Sequence, residues 1–151
     1  MRRKEKQITD QNQIDGIIKQ ARVCRLGLSD NGRPYVVPLH FGYDHPFLYF
    51  HGADTGRKLD ILAANSQVCF EFDELIKINK HVSACNWGTS YTSIIGEGTA
   101  RILVDPEEKI KGLNCIMAQY SSRTHEFDPQ DLAETAVIEV KILEMTAKLS
   151  G

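Results

Sequence analysis

Val23-Cys24-Arg25-Leu26-Gly27-Leu28-Ser29-Asp30-Asn31-Gly32-Arg33-Pro34-Tyr35-Val36-Val37-Pro38-Leu39-His40-Phe41-Gly42-Tyr43 reads with a period of two, is interrupted at Asp30-Asn31-Gly32-Arg33, and then resumes it. An Asn-Gly pair between two such runs supplies the left-handed positions that a tight hairpin turn needs. Val23–Ser29 and Tyr35–Tyr43 are therefore expected to be paired antiparallel strands. Pro38 has no N–H to give to a ladder, so the returning strand belongs at a sheet edge or carries a bulge. Asp44-His45-Pro46 turns the chain once more into a third strand, Phe47–Gly52, and the three make a meander.

Upstream of the hairpin, Ile14, Ile17, Ile18 and Ala21 recur at helical spacing over Asp10–Ala21. Downstream, Thr55–Asn65 reads as a short helix capped by Thr55, with Leu59, Leu62 and Ala63 on its apolar side. Gln67–Phe72 is a strand with Val68, Phe70 and Phe72 on one face, whereas Asp73–Gly88 shows no legible period. Tyr91–Val104 returns to β character, with Gly96 and Gly98 marking a bend or bulge. Asp105-Pro106-Glu107-Glu108 opens a helix, with Asp as cap, Pro in the first turn and Glu three residues on. A short helix near Pro129–Glu134 and a last strand, Ala136–Ile142, complete the chain. About six strands without a βαβ rhythm give a mainly β fold: a six-stranded antiparallel barrel with peripheral helices, in one domain spanning residues 1–151.

Composition narrows the functional classes. With 42% hydrophobic and 25% charged residues in 151, the chain can bury a core without staples. A formal net charge of −2 argues against nucleic acid as a partner, because neutralising phosphates takes a basic stripe. The run Arg2-Arg3-Lys4 with Lys6 is short and reads as a solvated terminus. Gln7-Ile8-Thr9-Asp10 follows it where a signal peptide would need an apolar stretch. No window reaches membrane-spanning length, so a soluble, cytoplasmic protein is expected. Cys24, Cys69, Cys85 and Cys115 lie far apart, without zinc-site spacing, so no metal is expected and free thiols suit a reducing compartment.

The chemistry concentrates in Tyr49-Phe50-His51-Gly52-Ala53-Asp54-Thr55-Gly56-Arg57-Lys58. A strand ends, small residues turn the chain, and two cations arrive in the first turn of a helix. Helix starts carry open N–H groups and a partial positive charge, so anions bind there. Arg57 adds a planar fork and Lys58 a compact charge, both suited to phosphate oxygens. The competing explanation is a pair of solvated surface charges.

The order Pro38-Leu39-His40-Phe41-Gly42-Tyr43-Asp44, Tyr49-Phe50-His51-Gly52-Ala53, Gly56-Arg57-Lys58-Leu59-Asp60 and Val68-Cys69-Phe70 resembles the pyridoxamine 5'-phosphate oxidase-like FMN-binding split barrels. Within them, the opening Met1-Arg2-Arg3-Lys4 and the run Tyr91-Thr92-Ser93-Ile94-Ile95-Gly96-Glu97-Gly98-Thr99-Ala100 resemble the nitroimidazole-resistance (Nim) branch. The resemblance implies a split barrel that binds FMN. It places the flavin ring against the backbone of Val36, Val37, Pro38, Leu39 and His40, with His51 and Gly52 contacting the cofactor and Arg57 and Lys58 holding its phosphate. It sets Thr92 or Ser93 close to the flavin from the facing wall.

By the same resemblance, a histidine matching His51 takes part in flavin redox chemistry; otherwise His51 only hydrogen-bonds the ring or a carbonyl. His40 is the second candidate, while His45, His81 and His125 fall in loops. The chain ends Lys148-Leu149-Ser150-Gly151, and its one Trp is Trp87. It thus lacks the Trp- and Arg-containing ending with which the true oxidase grips its substrate, so vitamin B6 oxidation is not expected. The expectation is a homodimer with FMN at its interface, passing electrons from NAD(P)H or a reduced protein to a small electron-poor acceptor such as a nitro compound. The alternatives are a non-catalytic flavin-binding or stress-related protein, and a haem- or F420-binding relative.

Overall fold

Asn31 and Gly32 take left-handed backbone, with φ of 49° and 84°, and the turn they form fixes the pairing of Cys24 with Leu39 through Asp30 with Arg33. This computed structural model describes residues 4–151; the Arg2-Arg3 pair lies outside the described residues. In order, the elements are β1 (Gln7–Ile8), α1 (Gln11–Gln20), β2 (Cys24–Asp30), β3 (Arg33–Leu39), β4 (Phe41–Asp44), β5 (Phe47–Ala53), α2 (Arg57–Ala64), β6 (Gln67–Asn79), β7 (Gly88–Leu103), α3 (Pro106–Tyr120), α4 (Pro129–Glu134) and β8 (Thr135–Ser150). Single 3₁₀ turns occur at Lys4–Lys6 and Ala84–Asn86.

The strands form one antiparallel sheet in the order β3-β2-β6-β7-β8-β5-β4, with β1 on β8. Its two ends, β3 and β4, are consecutive in the chain and separated only by His40. The sheet therefore closes through the covalent chain at His40 rather than through a ladder, and it remains split there. β3 pairs only with β2, so Pro34 and Pro38 sit on an edge where a missing N–H costs nothing, as Pro38 predicted.

Eight strands replace the expected six. The run Tyr35–Tyr43 is broken at His40 into β3 and β4, and the two-residue β1 adds the other. β6 and β8 also run well past their expected ends, Phe72 and Ile142, to Asn79 and Ser150. In both, an unpaired residue shifts the alternation. Leu75 pairs with Tyr91 and Lys77 with Ser90, which skips Ile76; Gly98 pairs with Ile142 and Glu97 with Glu144, which skips Leu143. α2 begins at Arg57, not at the Thr55 cap the sequence predicts; Gly56, at φ 124°, occupies the cap position. α3 begins as expected, with Asp105 accepting from the N–H groups of Glu107 and Glu108.

Leu26, Phe41, Phe50, Phe70, Phe72, Ile94 and Ile138 fill the barrel. A second cluster of Tyr49, Leu103, Leu113, Ile116 and Val137 lies where α3 covers the outer face of β5 and β8. Each such large side chain contributes about 1.5–3 kcal/mol on burial. Gly42 sets how close α3 comes: a Cβ there would stand 2.5 Å from the backbone of Cys115 and Ile116. Among the thiols, Cys24 is buried and Cys115 partly so, where burial pushes Cys115 up to about 11; Cys69 and Cys85 are exposed.

Candidate cofactor site at the start of α2

The end of β5 and the start of α2 meet at two residues. Gly52 has no side chain, and Lys58 lies across the space this leaves: a Cβ on Gly52 would be 2.5 Å from Lys58 Nζ and 3.1 Å from its Cε. Gly56 offers no side chain to cap α2, so the first N–H groups of the helix stay open to an anion. Arg57 turns the other way. Its guanidinium lies 3.4 Å from Asp30 Oδ2 and 4.6 Å from the centroid of the Tyr35 ring. Arg57 thus sits against the β2–β3 turn, while Lys58 sits against the end of β5.

His51 and His40 come together in a second feature, a shallow hollow of about 270 Å³ lined by Val23, Pro38, Leu39, His40 and His51. Four residues the sequence picks out share this hollow. Burial lowers the His51 pKa below the ordinary imidazole range, and the neighbouring His40 and Lys58 lower it further. At neutral pH His51 is therefore uncharged, with one ring nitrogen donating and the other accepting. Of the remaining β3 residues, Val36 is 59% exposed on the outer face, and Val37 turns inward against the barrel core.

His40 is held from behind. Tyr120, the last residue of α3, lies edge-on to the His40 ring with centroids 5.0 Å apart. Its hydroxyl accepts from the N–H of Phe41 at 3.0 Å and donates to the carbonyl of Arg22 at 3.0 Å. One phenol thus pins both the corner at His40 and the segment carrying Val23. Reading the sequence for site residues does not single out Tyr120, Val23, Gly56 or Asp30. No local pattern links positions 79 residues apart, although a Gly before two cations was a legible sign of an uncapped helix start.

Thr92 and Ser93 do not join this hollow within one chain. They lie on β7 opposite Glu74 and Asp73, and Thr92 lines a different cavity. His45, His81 and His125 fall outside regular elements, as expected. Among the described residues, no group of three or more His, Cys, Asp or Glu is placed to hold a metal ion, and no helix is long and apolar enough to cross a membrane.

Against a flavin mononucleotide, the donor set fits at the phosphate: an ammonium folded over a side-chain-free strand end, open helix N–H groups, and a guanidinium held elsewhere over the Tyr35 ring and by an exposed ion pair. Such pairs contribute roughly 0–1 kcal/mol, so Arg57 can exchange Asp30 for a phosphate at small cost.

A model of the pyridoxamine 5'-phosphate oxidase family matches residues 10–149. No curated protein matches. Among solved structures, a candidate 5-nitroimidazole antibiotic resistance protein from Bacteroides thetaiotaomicron is 32% identical, with 94% of this chain and 85% of that one covered and a TM-score of 0.85. The flavocytochrome Anf3 from Azotobacter vinelandii is 23% identical, covering 96% and 69%, with a TM-score of 0.84. A FAD- and haem-binding protein from Mycobacterium smegmatis is 20% identical, covering 96% and 73%, with a TM-score of 0.86. The last two likenesses establish the fold.

Proposed function

The chain belongs to the pyridoxamine 5'-phosphate oxidase family, and from that premise we propose that it binds FMN and reduces small electron-poor acceptors. The observation that carries this reading is the fold of Lys58 over Gly52 beside an uncapped helix start, an arrangement made for a terminal phosphate. Flavin binding also agrees with the similarity to the Azotobacter flavocytochrome and the FAD- and haem-binding Mycobacterium protein, and the choice of nitro compounds as acceptors to test follows from the similarity to the 5-nitroimidazole resistance protein of Bacteroides.

In this reading Lys58 and the α2 N–H groups hold the phosphate, Arg57 closes on it after leaving Asp30, and Pro38, Leu39 and His40 face the ring. His51, neutral at pH 7, hydrogen-bonds the ring region and can hold or release one proton there. The flavin supplies the electron-transfer chemistry, with NAD(P)H or a reduced protein as donor. Anaerobic turnover of a 5-nitroimidazole by the FMN-loaded protein tests the reductase reading. Stoichiometric flavin binding without turnover of any nitro or quinone acceptor would leave a non-catalytic flavin-binding protein.

We further propose that the working unit is a homodimer. Beyond Phe72, β6 and the start of β7 form an arm on which Asp73–Asn79 are all exposed, among them Leu75, Ile76 and Ile78, with Trp87 exposed at its end. Past Tyr91, where β8 ends, only Lys77–Asn79 and Gly88–Ser90 continue as a two-stranded ribbon, which is marginal in water, and the exposed apolar side chains along the arm mark a contact surface. The unpaired edge of β3 beside the hollow asks for the same cover. A second copy would also bring its Ser93, on the outer face of β7, toward the flavin. Sedimentation of a flavin-loaded monomer at micromolar concentration would refute this.

A further inference from the structure

The corner at which the sheet stays split also brings two imidazoles face to face. The antiparallel β4–β5 ladder pairs Gly42 with Tyr49 and Phe41 with Phe50. One step further in that register, His40 stands opposite His51. Facing residues share a side of the sheet and successive pairs alternate, so with Phe41 and Phe50 in the barrel core the two histidines point outward. Both are solvent-accessible, and both line the hollow of about 270 Å³. Pairing with Val137 fixes His51 on β5, while Tyr120 lies edge-on to the His40 ring and binds the adjoining N–H of Phe41. The two have no metal-site spacing in sequence, and only the register of the strands brings them together.

We propose that His40 and His51 chelate one transition-metal dication, Cu²⁺ in preference to Ni²⁺ or Zn²⁺, with water in its remaining positions, and that the bound ion keeps the flavin ring out of the hollow. Facing positions of an antiparallel pair hold their Cβ atoms about 4.5–5.5 Å apart. That span lets two imidazoles meet on one ion at metal–nitrogen distances of about 2.0–2.1 Å. The donors select the ion. Among the described residues no carboxylate lines the hollow, and the Lys58 ammonium stands over Gly52, the next residue along β5. A hard cation held by charge, such as Mg²⁺ or Ca²⁺, finds no ligand there, whereas imidazole suits Cu²⁺, Ni²⁺ and Zn²⁺. Exclusion of the ring rests on the flavin reading; the ion site itself does not.

The ions are titrated calorimetrically into the untagged full chain as purified and dialysed against EDTA, with its flavin content read by absorbance. The background is Cys69→Ser with Cys85→Ser, so that the exposed thiols take no metal. One ion should bind per chain, Cu²⁺ most tightly and Mg²⁺ not at all. His40→Gln and His51→Gln should each weaken Cu²⁺ by about tenfold or more, and His45→Gln should not. Pulsed electron paramagnetic resonance of the Cu²⁺ form should show two coordinated imidazoles in the parent and one in each variant. Where FMN is bound, redox-inert Zn²⁺ should release it, seen as a rise in free-flavin fluorescence that EDTA reverses.

No saturable Cu²⁺ binding at micromolar concentration, a single imidazole in the parent, or unchanged affinity in either His variant would each overturn the site. Ion binding that leaves FMN in place would overturn the exclusion of the ring. Two-imidazole Cu²⁺ binding by a protein that takes up no flavin would uphold the ion site and reject the flavin reading.

Discussion

Lys58 Nζ stands 2.5 Å from the place a Cβ on residue 52 would occupy, so the lysine's position depends on Gly52 having no side chain. The clash would fall on the far end of a flexible chain, not on backbone. Gly52→Ala should therefore fold with nearly unchanged melting temperature while pushing the ammonium away from its post. FMN affinity should fall several-fold and riboflavin affinity should not change, as read by quenching of flavin fluorescence in titrations. Equal losses for both ligands would place the phosphate elsewhere.

The two cations are not equivalent. Lys58→Ala should weaken FMN by about tenfold or more, since a hydrogen bond to a charged group contributes roughly 1.5–3 kcal/mol. Arg57→Ala should cost less, because Arg57 must first give up Asp30 and its place over Tyr35. Asp30→Asn should then tighten FMN modestly by freeing the guanidinium. Calorimetric titration of the three variants measures the order, and tighter binding by Arg57→Ala than by Lys58→Ala is the predicted sign.

His51 gives a pH signature. Its pKa in the folded protein is depressed by burial and by His40 and Lys58, so the unfolded chain takes up a proton first as pH falls. The contribution is complete above the unfolded value of about 6.5 and is lost as pH drops through that value toward the folded one. Between pH 7 and 5 the wild type should lose more stability than His51→Gln. An NMR titration should show the His51 pKa rising in Lys58→Met. If it stays put, the lysine is not beside the ring.

Tyr120→Phe removes the bond to Phe41 that pins the His40 corner and the bond to Arg22 that holds the segment carrying Val23. Leaving the Phe41 N–H unpaired in a partly buried place should cost about 1–3 kcal/mol in denaturant unfolding. If the corner also shapes the flavin site, FMN affinity should fall in this variant while Lys58 and Arg57 are intact.

Much of the fold was legible because its hairpin and caps act locally. Asn31-Gly32 fixed the first turn, Pro38 the edge, and Asp105-Pro106 the start of α3, each through backbone chemistry within four residues. The lengths of β6 and β8 were not legible, because the bulges at Ile76 and Leu143 invert the period-two pattern midway through each strand. Thr55 misled as a cap because Gly56, the next residue, took a backbone conformation that only glycine adopts freely. At the site, Arg57 and Lys58 were visible as neighbours in sequence, but their divergence to Asp30 and Gly52 depends on elements 27 and 6 residues away. Tyr120 was invisible as a support because its partners, Arg22 and Phe41, belong to the opposite end of the chain.

The absorbance spectrum of the freshly purified protein, followed by chromatography of the chromophore released on denaturation, tests the central claim most directly. The account predicts a yellow protein with flavin bands whose released chromophore is FMN, not FAD or riboflavin. A Soret band in place of flavin bands, or a colourless protein that binds no added FMN at micromolar concentration, would contradict it.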